Sequence, residues 1–221
     1  MTFYDTSGGF QRINALGAEG KDFFFLISFD RKQILAESLD QLPENLLYRL
    51  EEWSNEPDNS PKPSKRRKET IHAFPPDYAD YLNAFESVIE EIRRGNTYLL
   101  NLTLPSRIET EASLVEIYQT AQAPYKLHLP GLFTCFSPEK FITIRQQNIY
   151  TYPMKGTIDA SLPGAKERIL RDPKETAEHV MITDLMRNDL NRVSRNVRVT
   201  RFRYLDEIPA GEKRLYQVSS E

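Results

Sequence analysis

The chain has 221 residues, enough for one or two domains, and its 39% hydrophobic and 28% charged content describes a polar globular protein. A net charge of −3 gives no electrostatic basis for nucleic acid as principal partner, and no apolar window is long enough to span a membrane. The single cysteine, Cys135, excludes an internal disulfide; in an apolar run with no histidine close by, it reads as a buried, inert thiol.

Residues 1–53 read as a small N-terminal unit. The apolar run from Asp22 to Phe29 is too short for a helix and predicts a strand, and Leu46 to Trp53 predicts a short helix. The N-terminus lacks a charged-then-apolar signal pattern, so the expected location is the cytoplasm. Residues 54–74 form a polar linker rich in Pro, Ser and Asn, whose basic run Lys62 to Lys68 reads as solvated. From Pro75-Pro76-Asp77 onward, Tyr78, Tyr81, Leu82, Phe85, Val88, Ile89 and Ile92 recur at helical spacing, closed by Gly95. Tyr98 to Leu104 predicts a strand, and Leu114 to Gln119 a short helix capped by Ser113. Leu132 to Phe136, Phe141 to Arg145 and Ile149 to Tyr152 predict strands, with a turn at Asn148. Asp172 and Pro173 open a helix that runs to about Leu190, and Val197 to Ile208 returns to strand character. Helices and strands come in irregular order, which favours an α+β fold over a doubly wound sheet.

The string most suggestive of chemistry is Met154-Lys155-Gly156-Thr157, where a lysine precedes a Gly-Thr turn. Glycine lets backbone approach a ligand closely, and the following N–H and hydroxyl can bind an anionic oxygen. The lysine beside that anion can act as a charge or, as a neutral amine, a nucleophile. The helix from Asp172 carries Glu178, Asp184, Arg187 and Asn188 among apolar residues. Residues 178, 181, 182 and 185 share one side of it, which would turn Glu178 inward, where a carboxylate must be paired or metal-bound. By spacing, Asp184 pairs with Arg187 or Asn188 in a supporting polar network. His128 and His179 read as structural, and no Cys/His spacing suggests zinc.

These strings resemble the chorismate-utilising enzymes, and within them the branch that makes aminodeoxychorismate on the way to para-aminobenzoate and folate. Three further strings carry the resemblance in the family's order: Gly95-Asn96-Thr97-Tyr98 to Thr103, Ala123-Pro124-Tyr125, and Ser137-Pro138-Glu139-Lys140-Phe141. It covers roughly residues 78–220, and several ordered motifs are far more specific than one. It implies that residues 75–221 are part of the family's αββα sandwich. Lys155 would then attack chorismate at C2, in contrast to the apolar residue of Pro-Ile-Ala-Gly-Thr in relatives that make anthranilate or isochorismate. Glu139, 16 residues earlier, would be the general acid for the departing C4 hydroxyl. Gly156 and Thr157 would bind a substrate carboxylate, and Glu178 would hold Mg²⁺. A glutamine amidotransferase partner would supply ammonia.

Two positions depart from the pattern. Leu99 stands where the family often has Gln, and Gln217 where anthranilate synthases have His. Family members also continue beyond the counterpart of Glu221, with a second magnesium-binding glutamate, an arginine and a Gly-rich segment. The expectation is an incomplete chain. Anthranilate or isochorismate chemistry, and an inactive module that binds the amidotransferase or a complementing chain, stand as competing readings.

Overall fold

The computed structural model describes residues 1–56, 71–137, 139–210 and 213–221. The basic run Lys62 to Lys68, most of the expected linker, and Pro138 lie outside the described residues. The chain begins with β1 (Phe3–Tyr4), α1 (Thr6–Ala18), β2 (Phe23–Ile27), β3 (Ile34–Ser38), β4 (Leu47–Leu50) and β5 (Trp53–Ser54). There follow β6 (His72–Phe74), α2 (Tyr78–Arg93), β7 (Arg107–Glu109), α3 (Leu114–Thr120), β8 (Tyr125–Leu129) and β9 (Phe133–Ser137). The last third comprises β10 (Ile142–Arg145), β11 (Asn148–Thr151), β12 (Met154–Asp159), α4 (Ala165–Arg171), α5 (Pro173–Asn191), β13 (Tyr204–Ala210) and β14 (Lys213–Ser219). This mixture of helices and antiparallel pairs is α+β, as expected.

Two compact units divide the chain. One holds Met1–Asn55, Gln122–Leu127 and Cys135–Glu221; the other holds Glu56–Ala121 and His128–Thr134. The backbone passes between them within β8 and β9.

The first unit contains two three-stranded antiparallel sheets, β1-β3-β2 and β12-β14-β13. On the first lies α1, opened by Asp5, whose carboxylate accepts the Gly8 N–H at 2.8 Å. Ile34, Leu35 and Ala36 of β3 and Leu16 of α1 are buried. A Cβ on Gly9 would overlap Ile34, so a glycine is what lets α1 descend onto β3. This helix escapes the sequence reading because Thr6-Ser7-Gly8-Gly9 looks like a loop; packing, not propensity, makes it helical. On the second sheet, α4 packs on β12 and β14, and α5 packs on β12. Ala165 and Ile169 of α4 and Val218 of β14 are its buried apolar residues.

Leu46 to Trp53 is not a helix but the β4–β5 hairpin, pairing Leu50 with Trp53. Glu51 turns it with a positive φ of 58°, and the Asn55 amide side chain bridges Tyr48 N–H and the Leu46 carbonyl. Tyr48 is buried against Phe24, their ring centroids 5.6 Å apart. The β10–β11 hairpin turns at Gln146 and Gln147, both with positive φ, rather than at Asn148, which already pairs with Arg145.

In the second unit, β6 pairs with β7. Asp77 caps α2 and Gly95, at φ +78°, follows its end, as the sequence predicts, yet no α2 residue is buried. Residues 98–104 are irregular rather than a strand, and Tyr98 is exposed. Among the described residues no strand pairs with them, so their backbone has no ladder to join. A Ser113–Glu116 capping box opens α3. Tyr118 and Leu129 are fully buried here, with His128 beside Tyr118 and its Nδ1 2.8 Å from Thr134 Oγ1.

Candidate active site

Lys155 and Gly156 lie inside β12 rather than before a turn. Met154 pairs with Ser219 and Thr157 with Gln217, so three steps along β12 match two along β14. The ladder then continues to Asp159 opposite Leu215. Lys155 and Gly156 therefore share the place opposite Val218 as a β-bulge, with Gly156 at φ +84°. Lys155 is half-buried and Thr157 exposed.

The start of α5 lies against this bulge. Asp172 accepts the Glu175 N–H at 2.9 Å, and Pro173 occupies the first turn. A Cβ on Gly156 would stand 2.9 Å from Glu175 Oε2 and 3.5 Å from Ile169 Cδ1. The φ of +84° is what calls for glycine here, and a Cβ would also push the Glu175 carboxylate aside. One turn further along, Glu178 is half-buried, and Lys174 Nζ lies 3.6 Å from its Oε1 and 3.7 Å from Glu175 Oε1. These long contacts to an exposed lysine are weak ion pairs.

The expected inward face of α5 is displaced. Met181 and Leu185 are exposed, whereas His179 and Thr183 are buried. The inner side holds polar groups because each finds a hydrogen bond. Thr183 Oγ1 donates to the His179 carbonyl at 2.7 Å, and His179 Nε2 lies 2.7 Å from Ser220 Oγ. His179 is structural, as expected: it is fully buried and packs edge-on to Phe202. Burial holds its pKa below the ordinary histidine value; the nearby Arg203 charge adds to this, and the Lys155 backbone opposes it. Asp184 and Arg187 pair at 2.9 Å on the exposed side, around a shallow cavity of about 420 Å³ shared with Met181, Leu185, Asn188 and Asn191.

Glu139 is exposed in a turn closed by Ser137, whose Oγ accepts the Glu139 N–H at 3.0 Å and donates to its carbonyl at 3.2 Å. Lys140 fastens that turn: its Nζ lies 2.8 Å from Glu51 and 4.9 Å from the centre of the Tyr152 ring. Burial raises the Glu51 carboxyl, but Lys140 and Tyr125 outweigh it and hold the pKa below the usual range. Thr151 Oγ1 also donates to the Phe141 carbonyl at 3.2 Å. The Glu139 turn is therefore tied beside the segment that leads into Lys155. Among the described residues, no hydrogen bond or ion pair joins Glu139 to Lys155 or Glu178.

Cys135 is exposed, not buried; partial desolvation nonetheless pushes its thiol pKa up. Gln217 is buried, and Leu99 is exposed. A cavity of about 700 Å³ lies between β11, the end of α5 and residues 193–200, and its lining includes none of Lys155, Glu139 and Glu178.

Sequence reasoning missed Glu175, Lys174 and Lys140 as members of this neighbourhood. The spacing of Lys174 four residues before Glu178 was the available signal for one of them. As a metal site, the described residues offer Glu175 and Glu178 one turn apart and no cluster of three or more His, Cys, Asp or Glu. Two carboxylates suit Mg²⁺, which keeps waters and substrate oxygens in its remaining positions. No described helix is long and apolar enough to cross a membrane.

Residues 10–210 match the family described as chorismate binding enzyme. Over 212 residues the chain is 44% identical to an uncharacterized PabA-like protein of Pasteurella multocida, covering 96% of this chain and 65% of that protein. It is 30% identical over 145 residues to aminodeoxychorismate synthase component 1 of Klebsiella aerogenes, covering 59% of this chain and 32% of that protein. It is 32% identical over 165 residues to anthranilate synthase component 1 of Aeropyrum pernix, covering 66% and 38% respectively. The chain thus spans less than two thirds of the length of each of these relatives. With a match that runs from the first helix into the β13 strand and takes in the whole neighbourhood of the Lys155 bulge, the chain belongs to the chorismate binding enzymes.

Proposed function

We propose that this chain carries the nucleophile-bearing part of an aminodeoxychorismate synthase component 1, which converts chorismate and ammonia to 4-amino-4-deoxychorismate. The observation that carries the reading is Lys155 in a glycine bulge beside the carboxylates of α5. The neutral Lys155 amine would bond through Nζ to C2 of chorismate and give up a proton as both ring double bonds shift and the C4–oxygen bond breaks. Glu139 would protonate the departing hydroxyl, which leaves as water; hydroxide alone is a poor leaving group. Ammonia would then bond to C4 and lose a proton, both double bonds would shift back, and the lysine would leave C2 carrying a proton. The Gly156 backbone and the Thr157 hydroxyl would hold a substrate carboxylate. Glu178, with Glu175 beside it, would hold Mg²⁺, whose contribution is to neutralise and fix that carboxylate. A glutamine amidotransferase would supply the ammonia, in the cytoplasm.

The test supplies chorismate, ammonium and Mg²⁺ to this chain, alone and fused to the segment by which the Pasteurella relative exceeds it. The expected product is aminodeoxychorismate, lost on Lys155→Ala. Full activity in Lys155→Ala would remove the covalent route. Anthranilate as product would favour that chemistry instead, against which Lys155 argues. Absence of any product in the fused chain would leave the inactive interaction module.

A further inference from the structure

Among the described residues the Glu139 carboxylate has no hydrogen bond or ion pair, so its place depends on the backbone that carries it. That backbone is held through Lys140, whose Nζ lies 2.8 Å from Glu51 Oε2 and 4.9 Å from the centre of the Tyr152 ring. The Lys140 and Glu51 side chains are 24% and 37% exposed. The neighbouring pair of Arg145 and Glu52 is longer, at 3.7 Å, and 64% and 68% exposed. The first pair is therefore the less screened of the two. Glu51 holds its carboxylate there at a local cost. Its φ of 58° lies in the left-handed region, which Gly or Asn fills more readily. Its N–H donates to the Pro124 carbonyl at 2.8 Å, which docks the β4–β5 turn on the chain just before β8. The turn itself needs no carboxylate at this position, whereas the Lys140 ammonium does; an observed strain of this kind points to a role for the side chain.

We infer that Glu51 is a positioning residue for Glu139: through Lys140 and the Tyr152 ring it ties the Glu139 turn to the strand that presents Lys155. The tie is stiff on both sides of the ammonium. Toward Glu139, the Ser137 hydroxyl bonds both the N–H and the carbonyl of that residue. Toward Lys155, the two residues that follow Tyr152 are fixed to the end of β14. Pro153 is buried and its carbonyl accepts the Ser220 N–H at 3.0 Å, and Met154 pairs with Ser219. Thr151 Oγ1, which donates to the Phe141 carbonyl, adds a second link between the two segments. An acid and an amine that act on one ring must keep one separation, and a misplacement of about 1 Å is enough to slow such a step. That Glu139 and Lys155 react rests on the proposed function; their tethering by Glu51 does not.

The test is a double-substitution cycle read by heteronuclear NMR on the 221-residue chain. Glu51→Asn suits the left-handed turn but is too short to reach Lys140. It is expected to keep the fold, to move the Glu139 and Lys140 amide resonances, and to speed exchange of the Glu139 amide roughly tenfold. Lys140→Met keeps the stem without the charge and is expected to do the same, and the two together to add nothing further. Lys140→Arg, which still reaches both partners, and Glu52→Gln, at the exposed pair, are expected to leave these signals close to native. Unmoved Glu139 signals in both Glu51→Asn and Lys140→Met, or additive effects of the two, would overturn the inference. Kinetics of the fused chain then separate the two claims. A general acid acts in the transition state, so Glu51→Asn is expected to lower kcat roughly tenfold and leave KM for chorismate nearly unchanged, with Lys140→Arg keeping kcat. An unchanged kcat in Glu51→Asn would overturn the positioning role. Coupled NMR responses in a chain that forms no product when fused would defeat the functional reading and support the tethering.

Discussion

The two three-stranded sheets of the first unit each take a helix through a glycine, but what stands opposite the glycine differs. On β1-β3-β2 the glycine belongs to the helix: Gly9 of α1 meets Ile34, among buried Leu16, Leu35 and Ala36. On β12-β14-β13 it belongs to the strand: Gly156 meets the Glu175 carboxylate, and the helix buries His179 and Thr183. The first contact removes apolar surface from water and stabilises the fold directly. The second buries groups that must be hydrogen-bonded to avoid a net cost, and it sets a bulged strand beside a carboxylate pair. A single packing device thus closes one sheet and equips the other.

The largest expected effect breaks the first contact. Gly9→Val drives a branched side chain into Ile34 and is expected to cost about 3 kcal/mol, the upper range for overpacking a core. Chemical denaturation measures it; a midpoint close to that of the native chain would mean α1 is free to lift. Gly156→Ala comes next, at about 1–2 kcal/mol for forcing an L-residue into the left-handed region. Pairing it with Glu175→Ala relieves the contact at 2.9 Å but not the φ of +84°, so only part of the loss should return. Unlike Gly9→Val at equal folded fraction, it should also weaken chorismate binding by calorimetry. The helix caps sharpen the contrast. Asp5→Ala and Asp172→Ala each remove one capping bond, at about 1 kcal/mol. Only Asp172→Ala, which frees the Glu175 N–H, should change chorismate binding.

The smallest effect is shared by the two sheets. Asp30, in the β2–β3 turn, is held below the usual carboxylate range first by the Ser28 hydroxyl, and Asp159, at the end of β12, first by that of Ser161. A depressed carboxylate contributes stability above its unfolded pKa and loses it as pH falls through the lower folded value. Asp30→Asn and Asp159→Asn should each slightly flatten the acid limb of denaturation midpoint against pH, below about pH 4. A marked difference between them would show that the contrast between the sheets extends to their turns.

Elements that carry their own boundary signals were legible in the sequence. Asp77 and Gly95 delimit α2, Ser113 opens α3, and Asp172-Pro173 opens α5. Those made by long-range pairing were not. Leu46 to Trp53 lacks a turn dipeptide, and only Glu51 at positive φ makes it a hairpin. The Lys155-Gly156 string was visible as special, but a bulge exists only relative to β14, some sixty residues later in the chain. The orientation of α5 was misread because its buried side is polar, so hydrophobic spacing points to the wrong face. Lys140 is held by Glu51, far away in sequence and invisible to any local pattern.

The bulge also sets the phase of β12. On a regular strand Met154 and Thr157 would point to opposite faces, but their partners Ser219 and Gln217 are two apart on β14 and share one. The extra residue therefore resets the alternation, and Thr157 follows Met154 as if only one residue stood between them. Deleting Gly156 would therefore leave a regular strand with Thr157, Ile158 and Asp159 opposite the partners they now have, Gln217, Tyr216 and Leu215. Flattening the bulge with Gly156 kept would instead exchange their faces relative to Met154, turning the half-buried Ile158 outward and the exposed Thr157 hydroxyl to the opposite side.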